Sequence, residues 1–259
     1  MPGGRAGAES AAQTAAIPDG LARALRGARR VAVLTGAGIS AESGIPTFRD
    51  ALTGLWARFR PEDLATPAAF ERNPELVWNW YGARRARLRE AAPNPGHFAL
   101  AELARRVPSL TLITQNVDGL HSRAGSPEVL ELHGSLSRVK CFAAGHPAPE
   151  FPDGERVPRC TLCGSLLRPD VVWFGELLPE GILLRAQAAA RACDLFLSVG
   201  TSNLVEPAAS LPWLAAEAGA LVVVVNPNLE GQRRGERIQH LVGPAGALLP
   251  ALLSAAWPE

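Results

Sequence analysis

The sequence predicts a doubly wound α/β fold: a parallel sheet with helices on both faces, interrupted by two inserts. Three observations carry this expectation. Short runs at 31–34, 110–114, 195–199 and 221–225 are almost continuously apolar, as parallel strands covered on both faces are. Stretches of helical spacing lie between them, for example LARALRGARR at 21–30 and the segments 99–106 and 183–192, and strands alternating with helices give this layering. Two stretches break the rhythm. Residues 51–95 are rich in Trp and Arg, with helical spacing and no strand, and read as a helical insert. Residues 137–175 hold three cysteines and five prolines with little periodicity, and read as a small insert held by something other than an apolar core.

Composition bounds the function. The 259 residues, at about 150 per domain, make one large domain or two small ones, and 47% hydrophobic with 20% charged residues can bury a sizeable core. No apolar run approaches the roughly 18 residues of a membrane span; the longest tight run is 220–225. With 26 basic against 25 acidic side chains the net charge is +1, which argues against a nucleic-acid partner. Four cysteines are too few for a disulfide-stapled secreted fold. Residues 1–18 are rich in Ala and Gly, lack the apolar stretch of a secretory signal and read as a disordered tail. Location is therefore expected to be cytoplasmic, with no membrane partner. Oligomeric state is not legible.

The first chemical signal is Gly36-Ala37-Gly38-Ile39-Ser40 at the end of the first apolar strand. Glycines there let the backbone turn tightly and approach a pyrophosphate. Ala41 stands where the dinucleotide fingerprint has its third glycine, and no acidic residue closes a second strand about 20 residues on, so a plain tight turn is an equal reading of the motif alone. Two further strand ends reinforce it: Gly200-Thr201-Ser202 and Asn226-Pro227-Asn228. Ligands of open α/β sheets bind outside the carboxyl ends of strands, and these polar turns would line that crevice.

A second signal follows the strand at 110–114. Gln115, Asn116, Val117 and Asp118 form a run that is costly to bury unless a ligand or network satisfies it. Fifteen residues beyond Asp118 lies His133, a residue type that is neutral at pH 7 and can take a proton, although a lone histidine is more often structural.

The strings GAGISAESGIPTFRD, TQNVDGLH, ELHGSL and GTSNLVEPA, in this order and spacing, resemble those of the sirtuins, NAD-dependent protein lysine deacylases. The resemblance covers about residues 20–255. It implies a Rossmann-like NAD-binding domain (19–50, 96–136 and 176–259) and a smaller domain made of the helical insert (51–95) and a zinc-ribbon-like insert (137–175). It also implies site roles. Gly36, Ala37, Gly38, Ile39 and Ser40 would hold the NAD phosphates, with Glu42, Phe48 and Arg49 on a loop closing over the cofactor and Phe48 shielding the nicotinamide end. Gln115, Asn116, Val117 and Asp118 would position the nicotinamide ribose and carboxamide. Gly200, Thr201, Ser202, Asn226, Pro227, Asn228 and Ala245 would take the phosphates and the adenosine half. The implied substrate is an acyl-lysine protein, whose carbonyl oxygen attacks the ribose carbon as nicotinamide leaves; His133 then relays a proton from the ribose hydroxyl, which attacks the alkylimidate carbon, and water finishes the reaction, giving lysine, nicotinamide and O-acyl-ADP-ribose.

The acyl preference turns on Tyr81 and Arg84, three apart and so on one helix face. An arginine fork grips a carboxylate and a tyrosine hydroxyl adds a third bond, although Arg84, Arg85, Arg87 and Arg89 also read as a solvated face. Tyr-x-x-Arg here resembles the class III sirtuins, which remove succinyl, malonyl and glutaryl groups. The same resemblance leaves room at Ala65 for the longer chain and places Val172, Trp173 and Phe174 along the apolar lysine tunnel. Deacetylation is expected as a second activity. Alternatives are a plain deacetylase, mono-ADP-ribosyl transfer, and a noncatalytic NAD or ADP-ribose sensor; retention of His133 argues against the sensor.

Cys160-Thr161-Leu162-Cys163 is a metal-ligand pair with Cys141 upstream. The family's structural zinc has four cysteines, and here Ala144 stands where the fourth would be. The expectation is one zinc on Cys141, Cys160 and Cys163 with another fourth donor. His146 is one candidate for that donor and an exposed loop histidine is its other reading; the insert held by packing alone is the alternative to zinc. Cys193 reads as a core residue.

Overall fold

The computed structural model describes residues 17–45, 59–148, 151, 154, 156–229, 232 and 234–258. Six parallel strands among them form one sheet: β1 (Arg30–Thr35), β2 (Ser109–Thr114), β3 (Val129–Glu131), β7 (Leu195–Val199), β8 (Leu221–Asn226) and β9 (Ile238–Val242), in the order β3-β2-β1-β7-β8-β9. Strand order reverses between β1 and β7, which pair in parallel from Val31 against Leu195 to Thr35 against Val199. The doubly wound sheet expected from the sequence is present, with that reversal at its centre.

The alternation along each strand builds the two cores. Val31 and Val33 face one apolar cluster with Leu195, Leu197, Val199, Val223 and Val225. Ala32 and Leu34 face the other, with Phe196, Val222 and Val224. Helices α1 (Asp19–Gly27), α4 (Pro95–Arg106) and α8 (Ala245–Ala256) cover the first face; α6 (Glu180–Ala192) and α7 (Leu211–Glu217) cover the second. Each fully buried Val, Leu or Phe in these layers contributes about 1.5–3 kcal/mol, so the strand core anchors every turn at its carboxyl end.

The strands β4 (Gly134–Cys141), β5 (Pro147–Ala148) and β6 (Leu167–Val171) form a separate antiparallel sheet, β5-β4-β6. It packs against α2 (Pro67–Arg72) and α3 (Pro74–Glu90). Leu64, Ala65, Phe70, Val77, Trp80 and Tyr81 share one core with Leu136, Val171 and Trp173. Thr66 and Asn73 cap α2 and α3 through their side chains, each followed by a proline at the first turn. The segment 137–175 therefore has apolar packing as well as cysteines: Val139, Leu167, Cys141 and Cys160 cluster with Trp78 of α3. A short helix α5 (Leu120–Arg123) follows the polar run after β2. No helix among the described residues is long and apolar enough to cross a membrane.

Candidate active site

The turns after β1, β2, β7 and β8 meet at the strand carboxyl ends. Two of them touch through backbone alone. Gly36 N donates to Val199 O (3.0 Å) and Gly38 N to Gly200 O (2.8 Å), while Gly200 N donates to Val225 O (2.9 Å). A Cβ on Gly38 would lie 2.7 Å from Gly200 Cα, and one on Gly36 would lie 2.8 Å from Gly200 O. Gly200 itself has φ +60°, and a Cβ there would meet Ile39 N at 2.3 Å. Only glycine fits these positions.

Around this seam the polar residues saturate one another. Ser40 Oγ donates to Asp118 Oδ2 (2.7 Å) and accepts from Asn116 Nδ2 (3.2 Å), which also reaches Gly36 O (3.1 Å). Asp118 Oδ1 accepts from Leu120 N at 2.9 Å. Gln115 Nε2 donates to Thr201 Oγ1 (2.9 Å), and Asn226 Nδ2 to Thr201 O (2.9 Å). Val117 joins the run to the small sheet, its carbonyl accepting from Leu136 N (2.9 Å). Ser202, Pro227 and Asn228 are exposed at the rim, with Asn228 N on Asn226 Oδ1 (3.2 Å). Ala245 is buried at the start of α8, where Glu42 Oε2 accepts from Gly246 N (2.7 Å). Glu42 thus caps a helix that has no cap from its own Pro244. Phe48 and Arg49 lie outside the described residues.

His133 Nδ1 stands 2.9 Å from Gln115 O. A carbonyl only accepts, so Nδ1 carries the proton and Nε2 is left as the lone-pair nitrogen of a neutral ring. Burial lowers the pKa of His133, with the Gln115 carbonyl opposing it. The His133 carbonyl in turn accepts from Val172 N (2.9 Å), linking this histidine to the segment after β6.

In the small core Tyr81 is buried, and its hydroxyl accepts from Trp173 Nε1 (3.0 Å). Arg84 is half-buried, its guanidinium 4.8 Å from the Trp80 ring centroid and 5.8 Å from that of Tyr81. Burial lowers its pKa, with Tyr81 and Asp118 acting in the opposite direction. Tyr81 and Arg84 therefore do lie together and near the Asp118 cluster. Ala65 is buried and its carbonyl accepts from Phe174 N (2.9 Å); Phe174 is 53% exposed. Trp173 is 2% exposed, packed within the core.

The three cysteines and His146 converge. Cys141, His146, Cys160 and Cys163 place their ligand atoms within 4.8 Å of one another, with Cys141 Sγ 3.4 Å from Cys163 Sγ and Cys160 Sγ 3.6 Å from His146 Nδ1. The amide of Ala144 donates to Cys141 Sγ at 3.5 Å and, with bonds from Cys163, Ala143 and Cys160, brings the pKa of that thiol down to about 7 against desolvation.

The Sir2 family model matches residues 36–207, the span that contains all these turns except the one after β8. The chain belongs to the Sir2 family. It is 56% identical over 243 residues to NAD-dependent protein deacylase 1 of Pseudomonas aeruginosa, covering 90% of this chain and 97% of that one. It is 57% identical over 207 residues to the NAD-dependent protein deacylase of Thermus thermophilus, covering 78% and 81%. Among solved structures, a Sir2 homologue in complex with NAD superposes with a TM-score of 0.84 at 42% identity, over 93% of this chain and 94% of that one. A Sir2 protein bound to a myristoylated histone peptide gives 0.73 at 37%, over 92% and 95%.

Within this Sir2-family site the sequence reading passed over three residues. Asn94 donates from Nδ2 to Ile39 O (2.7 Å) and Ser43 Oγ (3.0 Å), fastening the loop after β1 to α4. Asn94 N donates to His97 Nδ1 (3.3 Å), so the proton of His97 is on Nε2, 3.4 Å from Ser40 Oγ. The legible signal was the capping-box spacing Asn94-x-x-His97 ahead of an apolar helix. The His121 ring packs against that of His97, centroids 4.9 Å apart and planes tilted by 59°, and meets Thr35 Oγ1 at 2.9 Å.

Burial lowers the pKa of His97, opposed by Asp118, and brings that of His121 to about 3. An imidazole that is harder to protonate when folded contributes stability that is complete above about pH 6.5 and is lost as the pH falls, because the unfolded chain then binds the proton more tightly. Urea midpoints should therefore drop between pH 7.5 and pH 5, with His121 alone accounting for on the order of 2 kcal/mol. Equal midpoints at the two pH values would show that these rings are not held neutral by burial.

Proposed function

We propose that the chain is an NAD-dependent protein-lysine deacylase that prefers acyl groups ending in a carboxylate, succinyl and malonyl, with acetyl as a second substrate. The observation that carries the deacylase reading is the neutral tautomer of His133, fixed by Gln115 O, beside a crevice of strand-end turns. The fit to NAD rests on the crevice at the strand carboxyl ends, where the close backbone packing of Gly36, Gly38 and Gly200 brings the polar turns after β1, β2, β7 and β8 together. When bound, NAD would supply the ribose carbon that receives the acyl oxygen and the hydroxyl that carries the acyl group away. His133 takes the hydroxyl proton at Nε2 while its Nδ1–H stays on Gln115 O. Asn116 and Asp118, locked through Ser40, would orient the nicotinamide ribose and carboxamide. The amides of Gly36 and Gly38 are occupied by the neighbouring turn, so phosphate contacts fall to other polar groups of these turns, Thr201 and Ser202 among them.

Tyr81 and Arg84 support the acyl preference. A ligand carboxylate would act on the Arg84 guanidinium in the same direction as Tyr81 and Asp118 do, against burial. An uncharged fatty chain such as the myristoyl group of the histone-peptide relative would leave Arg84 without that gain.

The cysteine cluster fits a structural zinc ion. Thiolate sulfurs at about 2.3 Å from one tetrahedral metal stand roughly 3.8 Å apart, close to the spacings of Cys141, Cys163, Cys160 and His146. Three thiolates with one imidazole are an ordinary structural set, and the ion would cross-link the turn after β4 to the turn before β6. Purified protein should carry about one equivalent of zinc, falling on His146→Ala; less than a tenth of an equivalent in the parent overturns the site.

Incubation with NAD and succinyl-, acetyl- or unmodified-lysine peptides, following nicotinamide release and peptide mass, tests the activity. His133→Ala should still bind NAD but lose about 10²–10⁴-fold in turnover; near-parental rates remove His133 from the reaction. Arg84→Ala should lose from several-fold to about a hundredfold on succinyl-lysine, the range of a charge-assisted pair, with much less effect on acetyl-lysine. Equal losses on both peptides would make Arg84 structural and end the acyl assignment.

A further inference from the structure

Trp173 is not merely apolar filling between the small sheet and the helical insert. Its indole N–H points at Tyr81 and its ring is gripped from the other side. The guanidinium carbon of Arg168 lies 3.3 Å from the Trp173 ring centroid. Arg168 is nearly fully buried, its side chain 4% exposed, and is paired in two places with the Glu176 carboxylate, Nη1 to Oε1 and Nη2 to Oε2 (2.9 Å). Glu176 Oε2 also accepts from the Trp173 backbone N (2.8 Å), and Arg168 Nη2 donates to Val171 O (2.7 Å). Phe70 and Phe142 close the remaining sides of the ring, at 5.4 and 6.4 Å between centroids. A stacked cation fixed by its own ion pair, together with two neighbouring rings, restrains the pose of the indole.

That pose decides what Tyr81 can do. An indole N–H donates and never accepts, so at 3.0 Å the Tyr81 oxygen is the acceptor and its own hydroxyl proton points elsewhere. A phenol with the opposite arrangement, giving its proton away inside the core, could offer a carboxylate only a repelling lone pair. We infer that Trp173 is a positioning residue for acyl selectivity: its indole N–H holds Tyr81 as a hydrogen-bond donor toward the substrate's terminal carboxylate, and Arg168 with Glu176 keeps Trp173 in place. The inference rests on the proposed preference for carboxylate-ended acyl groups. Burial pushes the Tyr81 phenol up to about 12, so the proton stays on the oxygen throughout the working range.

Tyr81 is the only tyrosine in the chain, so protein grown with 13Cζ-tyrosine gives a single resonance that reports this hydroxyl alone. The parent should show a resonance that moves with succinyl-lysine peptide and not with acetyl-lysine peptide. Trp173→Phe should shift that resonance in the free protein and lower the ratio of succinyl to acetyl kcat/KM by about three- to tenfold, the effect of one neutral hydrogen bond. A ratio is insensitive to the fraction of folded enzyme, which a purely structural role would change. In a Tyr81→Phe background the Trp173→Phe change should leave the ratio where it was, because the partner is gone. Should Trp173→Phe not fold, benzothienylalanine at position 173 keeps the ring shape and replaces N–H by sulfur, with the same two effects expected. A parent that does not favour succinyl-lysine overturns the acyl reading and this inference with it. A parent that favours it, with an unchanged ratio and resonance in the N–H-deleted variants, overturns this inference alone.

Discussion

The backbone of Gly38 lies against the backbone of Gly200 with no room for a methyl group between them. This contact sits where the strand order reverses, between β1 and β7. In an open parallel sheet the two connections at that point run to opposite faces and leave a crevice. Gly36 and Gly38 donate across the crevice floor to Val199 O and Gly200 O, making the two turns one rigid surface. Everything else in the site is referred to it. Asn116 is tied to the carbonyl of Gly36, Ser40 to Asp118, and Gln115 to Thr201.

Rigid polar surfaces are expensive in a folded protein unless each group is satisfied. Here the cost is met by a continuous network: Asn94 to Ile39 O and Ser43, His97 to Ser40, Ser40 to Asp118, Asp118 to Leu120 N. Each donor direction follows from the next. Asn94 N–H on His97 Nδ1 forces the His97 proton onto Nε2 toward Ser40, which leaves the Ser40 proton for Asp118. His121 Nδ1 is buried with no partner among the described residues, the one place in this network where a polar atom is left over, and burial keeps that ring uncharged.

The strands that build the core were legible because their apolar alternation feeds two buried faces at once. β1 sends Val31 and Val33 one way and Ala32 and Leu34 the other. β3 and β9 were not, because they are the sheet's edges: Val129–Glu131 is three residues long, and Ile238–Val242 carries Gln239 and His240. The glycines, the Gln115–Asp118 run and His133 stood out as polar or glycine residues at strand ends. His97 did not, since its role depends on a helix cap bringing it back beneath a loop 57 residues earlier in the chain. The metal-type cluster was legible as three cysteines, but only the turn Cys141–Gly145, closed by Gly145 N on Cys141 O and reversed by the His146 carbonyl on Cys141 N, shows that His146 returns to the thiols.

The small core ties the segment after β6 to its neighbours by packing and hydrogen bonds together. Ala65 O holds Phe174 N, His133 O holds Val172 N, and Trp173 between them holds Tyr81. The segment from Val171 to Glu176 is thus bonded on alternate residues to the turn after β3 that carries His133 and to the helical insert. Shifting it by one residue would exchange the buried Trp173 for the exposed Phe174 and leave Tyr81 without its donor. The Arg168–Glu176 pair spans that segment from end to end. A buried ion pair contributes little net stability after desolvation, but one that closes a short loop opposes a change of register. Its place here is under the indole, whose N–H reaches the Tyr81 hydroxyl.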